Sequence, residues 1–245
     1  MLFGILALFW HDADTWQSVA RVWRLPAGTE IGQSLMVLQI AGGIGLLYRR
    51  SVRSASVALG VVYGIFVLTC LAGVVAAPRA FDAYDGFFEQ VTLLCGAIAA
   101  NATAHEPRSS TLLRCAAFGM GLSAACFALA QIVYFTFTAG LVPKWIPPNG
   151  AVWAIVTTIA FFAAAFGLMT GYRSRLASQL MALMVASFGV LVWVPTLIRR
   201  PQSHSSWSEL ALTLLIAGAA WTLAGVLPGL TGSARRLQAI PWADR

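Results

Sequence analysis

The chain is divided into apolar runs of about twenty residues, and this length limits its architecture more than any other feature. An α-helix rises 1.5 Å per residue, so roughly twenty residues cross a hydrocarbon layer about 30 Å thick. Seven runs have this size, at 31–48, 55–77, 87–104, 112–137, 152–170, 176–197 and 207–227. An eighth, at 2–10, is equally apolar but spans only about 14 Å at the helical rise. Backbone N–H and C=O groups in lipid must be satisfied within their own segment, so the runs predict helices packed as a polytopic bundle. With 59% hydrophobic and 10% charged residues and a mean hydropathy of +0.77, disorder, a collagen-like fibre and a disulfide scaffold are all excluded. Nucleic-acid binding is a poor reading of the +7 charge, because the 16 basic residues are scattered singly or in pairs between apolar runs. The expected partner is the lipid bilayer.

An internal repeat organises the runs. Residues 23–66 laid on 145–188, an offset of 122, give ten identities in 44 positions. They are Trp23/Trp145, Pro26/Pro148, Gly28/Gly150, Ala41/Ala163, Gly45/Gly167, Leu46/Leu168, Arg53/Arg175, Ala55/Ala177, Ser56/Ser178 and Phe66/Phe188. Aligned Trp, Pro and Arg at loop positions are harder to obtain from shared apolar composition than aligned Ala or Leu. The expected fold is therefore all-α, a transmembrane bundle of two parallel four-helix repeats with the first of the eight helices shortened. The repeats occupy 1–104 and 112–227, joined by a linker at 105–111 and followed by a tail at 228–245. The run at 2–10 lacks the basic start and small-residue cleavage site of a secretory signal. Two expectations follow for it: the natural chain begins upstream of Met1, or the first helix stays near one surface.

Two four-helix halves in the same orientation sort the loops into two sets. Arg49, Arg50, Arg53, Arg108, Arg114, Arg173, Arg175, Arg235, Arg236 and Arg245 fall on one side, against Arg21, Arg24, Arg79, Lys144, Arg199 and Arg200 on the other. The positive-inside rule then places both termini in the cytoplasm. Seven of the nine acidic residues lie on the opposite, outer side.

Gly60 with Gly64, Ala41 with Gly45 and Ala163 with Gly167 put small residues one turn apart, and they read as helix-packing devices. Cys70, Cys95, Cys115 and Cys126 contain no CxxC pair, so a thiol relay has no motif, although Cys70 and Cys95 fall at similar depth on neighbouring helices. No span pair offers two histidines for haem, and no cluster of three or four ligands suggests a metal. His105 and His204 fall in predicted loops.

The polar residues with a functional reading are few. His11, Asp12 and Asp14 stand at the outer end of the short first helix, and ionisable groups at membrane depth mark ligand or proton paths. The bland reading is that the helix ends at Trp10 and the charges are solvated. Glu89 and Glu209, 120 residues apart, each begin the last predicted helix of their half and are candidates to line an outward-facing pocket. For Glu209 the competing role is a capping box in Ser206-Trp207-Ser208-Glu209. Trp23 and Trp145 sit at expected membrane boundaries, where an aromatic belt is the default and the rim of a pocket the alternative. The spans offer Gln39, Gln131 and Gln179 among their polar side chains, with no charge at mid-membrane.

The segment Gly140-Leu141-Val142-Pro143-Lys144-Trp145-Ile146-Pro147-Pro148, followed by an apolar helix ending Gly167-Leu168-Met169-Thr170-Gly171 and then Arg173 and Arg175, resembles the DoxX-like family of bacterial membrane proteins. The first half, from Ala7-Leu8-Phe9-Trp10-His11-Asp12 through Trp23 and Pro26 to Gly45 and Arg53, looks like a more divergent copy. The resemblance covers residues from about 2 to 227. It implies a four-helix membrane unit in the bacterial inner membrane. Some members are associated with a thiosulfate:quinone oxidoreductase or with other redox and assembly roles, so it also implies quinone as a cofactor and a membrane redox partner. It brings no catalytic residue set, and no cofactor is evident from the residues themselves. The leading expectation is a non-enzymatic accessory or small-ligand-binding membrane protein, alone or as a homo-oligomer. A subunit or helper of a quinone-linked redox system comes second, and a small-solute transporter third.

Overall fold

The computed structural model describes residues 1–11, 16–24, 26–104 and 109–227, and their regular structure is entirely helical. Each apolar run is a helix: α1 (Leu2–Phe9), α3 (Gly28–Gly45), α4 (Val52–Ala76), α5 (Phe81–Thr103), α6 (Ser110–Val133), α8 (Gly150–Thr170), α9 (Ser174–Phe188) continued into α10 (Val194–Arg199), and α11 (His204–Val226). Two short helices lie between runs, α2 (Trp16–Trp23) and α7 (Phe135–Leu141). Five segments are long and apolar enough to cross a membrane: α4, α6, α8, the rod Ser174–Arg199, and α11. The helix α5 is 23 residues long, enough for about 34 Å at the helical rise, but it carries Asp82, Asp85 and Glu89 in its first half.

The packing is that of a protein in lipid. Many of its most buried residues are small, among them Ala99, Ala116, Ala124, Ala128 and Ala220, packed with a few large ones such as Met36, Met120 and Leu223, whereas Val57, Leu68, Ile159, Phe166, Leu183 and Ile198 face outward. Helices in lipid gain nothing from hiding large apolar side chains, so close backbone approach over small residues supplies the packing energy. In order, α3 packs on α4 and α4 on α5, as α8 packs on α9 and α9 on α11. Helix α5 lies against both α6 and α11, and α1 lies against α11.

One close contact recurs with both members 122 positions apart, and two others share one member at that offset. A Cβ on Gly45 would stand 2.8 Å from the Ala55 Cβ, and one on Gly167 would stand 2.7 Å from that of Ala177. Ala20 of α2 sits against Gly28, and the Ala139 carbonyl of α7 against Gly150, so each short helix abuts the first residue of the long one that follows. Ser56 accepts from Asn101 at 3.0 Å, and Ser178 donates to the Ala220 carbonyl at 2.7 Å, each tying its helix to the last of its half. Gly45→Val and Gly167→Val are each expected to cost roughly 1–3 kcal/mol through overpacking. Thermal unfolding in mild detergent would show this; an unchanged midpoint in both would mean these contacts do not hold the helices together.

Three details differ from the sequence reading. Gly60 and Gly64 have open space where a Cβ would stand, so this GxxxG pair packs on nothing among the described residues. The N-cap of α11 is Ser203, which accepts from the Ser206 N–H at 3.4 Å. Helix α11 therefore begins three residues earlier than the box at Ser206 requires, and Glu209 is no part of its cap. His204 is the first residue of α11 rather than a loop residue, its ring 5.5 Å from that of Trp10. Residues 105–108 of the linker and the whole tail 228–245 lie outside the described residues.

Candidate functional site

Two local irregularities shape one end of the second half. Helix α6 stops at Tyr134, whose backbone (φ −105°, ψ 37°) leaves the helical region before α7 resumes. The Tyr134 hydroxyl donates to Asp82 in the first turn of α5, which pins this break to the neighbouring helix. The second irregularity is a π-helical turn, Gly189–Trp193, inside the rod Ser174–Arg199. Pro195 accounts for it: the ring has no N–H to donate and would collide with the Leu191 carbonyl four residues back, so the helix widens. The Thr196 hydroxyl takes up the Val192 carbonyl at 2.6 Å.

Between these irregularities lies a cavity of about 490 Å³. The first half of α8 and the end of α9 form one wall, the end of α6 and α7 a second, and α5 with α11 the third. Its interior is aromatic: the Phe127 and Phe161 rings meet edge to face at 5.8 Å and Phe161 lies 6.3 Å from Phe188. Trp153 and Trp193 complete the lining, and Trp153 is steadied by donating to the Pro147 carbonyl at 2.9 Å. Gln131 accepts from the Thr157 and Thr158 hydroxyls at 3.0 and 2.9 Å, which fixes its carboxamide at the wall.

Against this lining stand three carboxylates, Asp85 and Glu89 on α5 and Glu209 on α11. Asp85 and Glu89 are one helical turn apart and so share a face. Glu89 lies eight residues into α5, about 12 Å along the axis from Phe81. It is close enough to feel the charges of both Asp85 and Glu209. Glu89 is half-buried, its side chain bordering the cavity, and Glu209 is the more exposed of the two. No Lys, Arg or His lines the cavity among the described residues. The Glu89 carboxylate has no hydrogen-bond or ion-pair partner there either. Among the described residues no group of three His, Cys, Asp or Glu is placed to hold a metal ion, so the carboxylates are spread along a wall rather than converging on a point.

Of the seven candidate positions, the structure brings Glu89 and Glu209 to one cavity. His11 is exposed at the end of α1, outside that lining, with a left-handed backbone (φ 49°) and a carbonyl that accepts from Gln17. Trp23 donates to the Thr69 hydroxyl of α4 at 3.0 Å and belongs to the first half. Trp145 is 70% exposed beside the cavity loop rather than within it. Asp12 and Asp14 lie outside the described residues. All four cysteines are free thiols, and the Cys95 sulfur packs toward Gly119 of α6.

Asp85, Trp153 and Trp193 escaped the sequence reading, and Gln131 was noted as polar within a span without being assigned to a site. Asp85 carried a signal in its four-residue spacing from Glu89, and Gln131 in being polar within an apolar run. The two tryptophans resemble any belt residue until the π turn and the α6 break aim the elements that carry them.

Compared with protein families, curated proteins and solved structures, the chain matches none. Its function is therefore argued from the cavity.

Proposed function

We propose that this protein is a non-enzymatic membrane protein that binds a small, largely apolar molecule in the cavity between α5, α6, α8, α9 and α11. The observation that carries this reading is a preformed aromatic cavity of about 490 Å³ bordered by Glu89 and Glu209 from two different helices. Ligand pockets share this design, an apolar body with a few polar groups that fix orientation. Aromatic walls held by the Trp153 hydrogen bond, and a carboxamide held by two threonines, present this surface without rearrangement.

The wider architecture proposed is two parallel four-helix repeats of DoxX-like type in a bacterial inner membrane, with both termini cytoplasmic. Its support is the recurrence of helix starts at 28 and 150 and at 52 and 174, the paired Gly–Ala approaches, and the ten-to-six division of basic residues between loop sets. In that orientation the cavity opens on the outer side.

The test is mass spectrometry of small molecules and lipids that co-purify with the full chain in mild detergent, comparing wild type with Glu89→Ala plus Glu209→Ala. One specific species is expected in the wild type and depleted about tenfold or more in the double variant, a difference near 1.4 kcal/mol. Equal retention by both proteins, or no specific species in either, would remove the site.

A further inference from the structure

Taking the cavity as a binding site, the reading just proposed, we infer that its ligand is an amphiphilic organic cation, an apolar or aromatic body carrying a diffuse positive charge. Three observations fix the class. First, Asp85, Glu89 and Glu209 bring three carboxylates to one wall, and no basic residue among the described lining offsets them. A carboxylate in a low-dielectric site is costly unless a counter-charge or hydrogen bonds compensate it, and Glu89 has neither among the described residues. Second, the carboxylates do not converge as metal ligands do. Spread along α5 and α11 on one wall, they suit a charge distributed over several atoms rather than a compact ion. Third, the facing surface is π-electron rich, with Phe127, Phe161, Trp153 and Trp193 in the same lining. An organic cation over such rings gains cation–π attraction, and its apolar body fills the remainder.

An anionic or neutral quinone-like molecule fits this wall less well. The anion would meet a wall of carboxyl groups with no basic partner, and the neutral molecule would bring no counter-charge to it. Gln131 supplies a further polar contact at the opposite wall, with its carbonyl oxygen already occupied by Thr157 and Thr158.

The experiment pairs two probes of the same shape and opposite charge, tetraphenylphosphonium and tetraphenylborate. Each is measured by equilibrium dialysis against the detergent-solubilised full chain, with empty micelles as the background. Wild type is expected to bind the phosphonium in preference to the borate. Glu89→Gln plus Glu209→Gln, which keeps side-chain size and removes charge, is expected to weaken phosphonium binding by about tenfold or more. Asp85→Asn is a second variant that tests the same wall should the double variant be unstable. If wild type and variants bind both probes equally, the cation preference is overturned while the cavity reading survives. If wild type binds neither probe, and no co-purifying species is lost in the glutamate variants, the cavity reading falls as well.

Discussion

Gly96→Leu is expected to lower the stability of the bundle sharply. At this position α5 and α11 approach so closely that a Cβ would stand 2.4 Å from the Ala219 Cβ and 2.9 Å from its Cα. The obstacle includes backbone, so no rotamer change relieves it; the two helices must move apart. They pack against one another and carry Asp85, Glu89 and Glu209. Small-to-large changes in a packed interior cost about 1–3 kcal/mol and more where backbone obstructs, so about 3 kcal/mol or more is expected here. That is a large share of the 5–15 kcal/mol by which proteins are commonly stable. The control is Gly64→Leu in α4, where nothing stands within 4 Å of the new Cβ; it should change stability by no more than about 0.5 kcal/mol. Unfolding followed by tryptophan fluorescence in detergent compares the two. Equal midpoints would show that the α5–α11 crossing is not the tight contact described.

Ala130→Trp is expected to abolish ligand retention while the bundle stays folded. Ala130 lines the cavity from the last turn of α6 and is not fully buried, so an indole there projects into the space rather than through a neighbouring helix. Filling the volume denies it to any occupant, whatever its charge, which separates this variant from the glutamate substitutions. Loss of affinity of about 100-fold, or roughly 2.7 kcal/mol, is anticipated for the bound species. The measurement is the co-purification assay together with phosphonium dialysis, with the unfolding midpoint as a check on folding. A variant that folds and binds like wild type would place the binding site elsewhere. Should Ala130→Trp abolish binding while Glu89→Gln plus Glu209→Gln does not, the cavity is the site and its ligand is not selected by charge.

The division between what the residues announce and what the packing adds follows interaction range. The helix-forming runs were legible because the constraint is local: a backbone in lipid must satisfy itself, so each run from 31–48 to 207–227 has its helix. The ends were legible only in part. Helix α5 begins at Phe81, before the charged residues that appeared to delimit it, because Asp82 near the N-terminus of a helix is electrostatically tolerated there. The short helix α7 was hidden by the prolines that follow it, although Pro143 lies beyond its last turn.

By itself the sequence determined that this is a helical membrane protein, where its apolar segments lie, and that Glu89 and Glu209 are unusual acids near the ends of such segments. Gly45, Gly167, Ser56 and Ser178 acquired mechanical roles once their neighbours were known. Only the tertiary structure decided that Glu89, Glu209 and Asp85 share one wall, that Trp153 and Trp193 face it, and that His11, Trp23 and Trp145 do not. Those relations join residues as far apart as Asp85 and Glu209 and depend on the α6 break at Tyr134 and on the π turn before Pro195. Apolar periodicity sets which residues enter a bundle. How closely Gly96 lets α5 approach α11, and how far Pro195 rotates the helix before it, set what the bundle encloses.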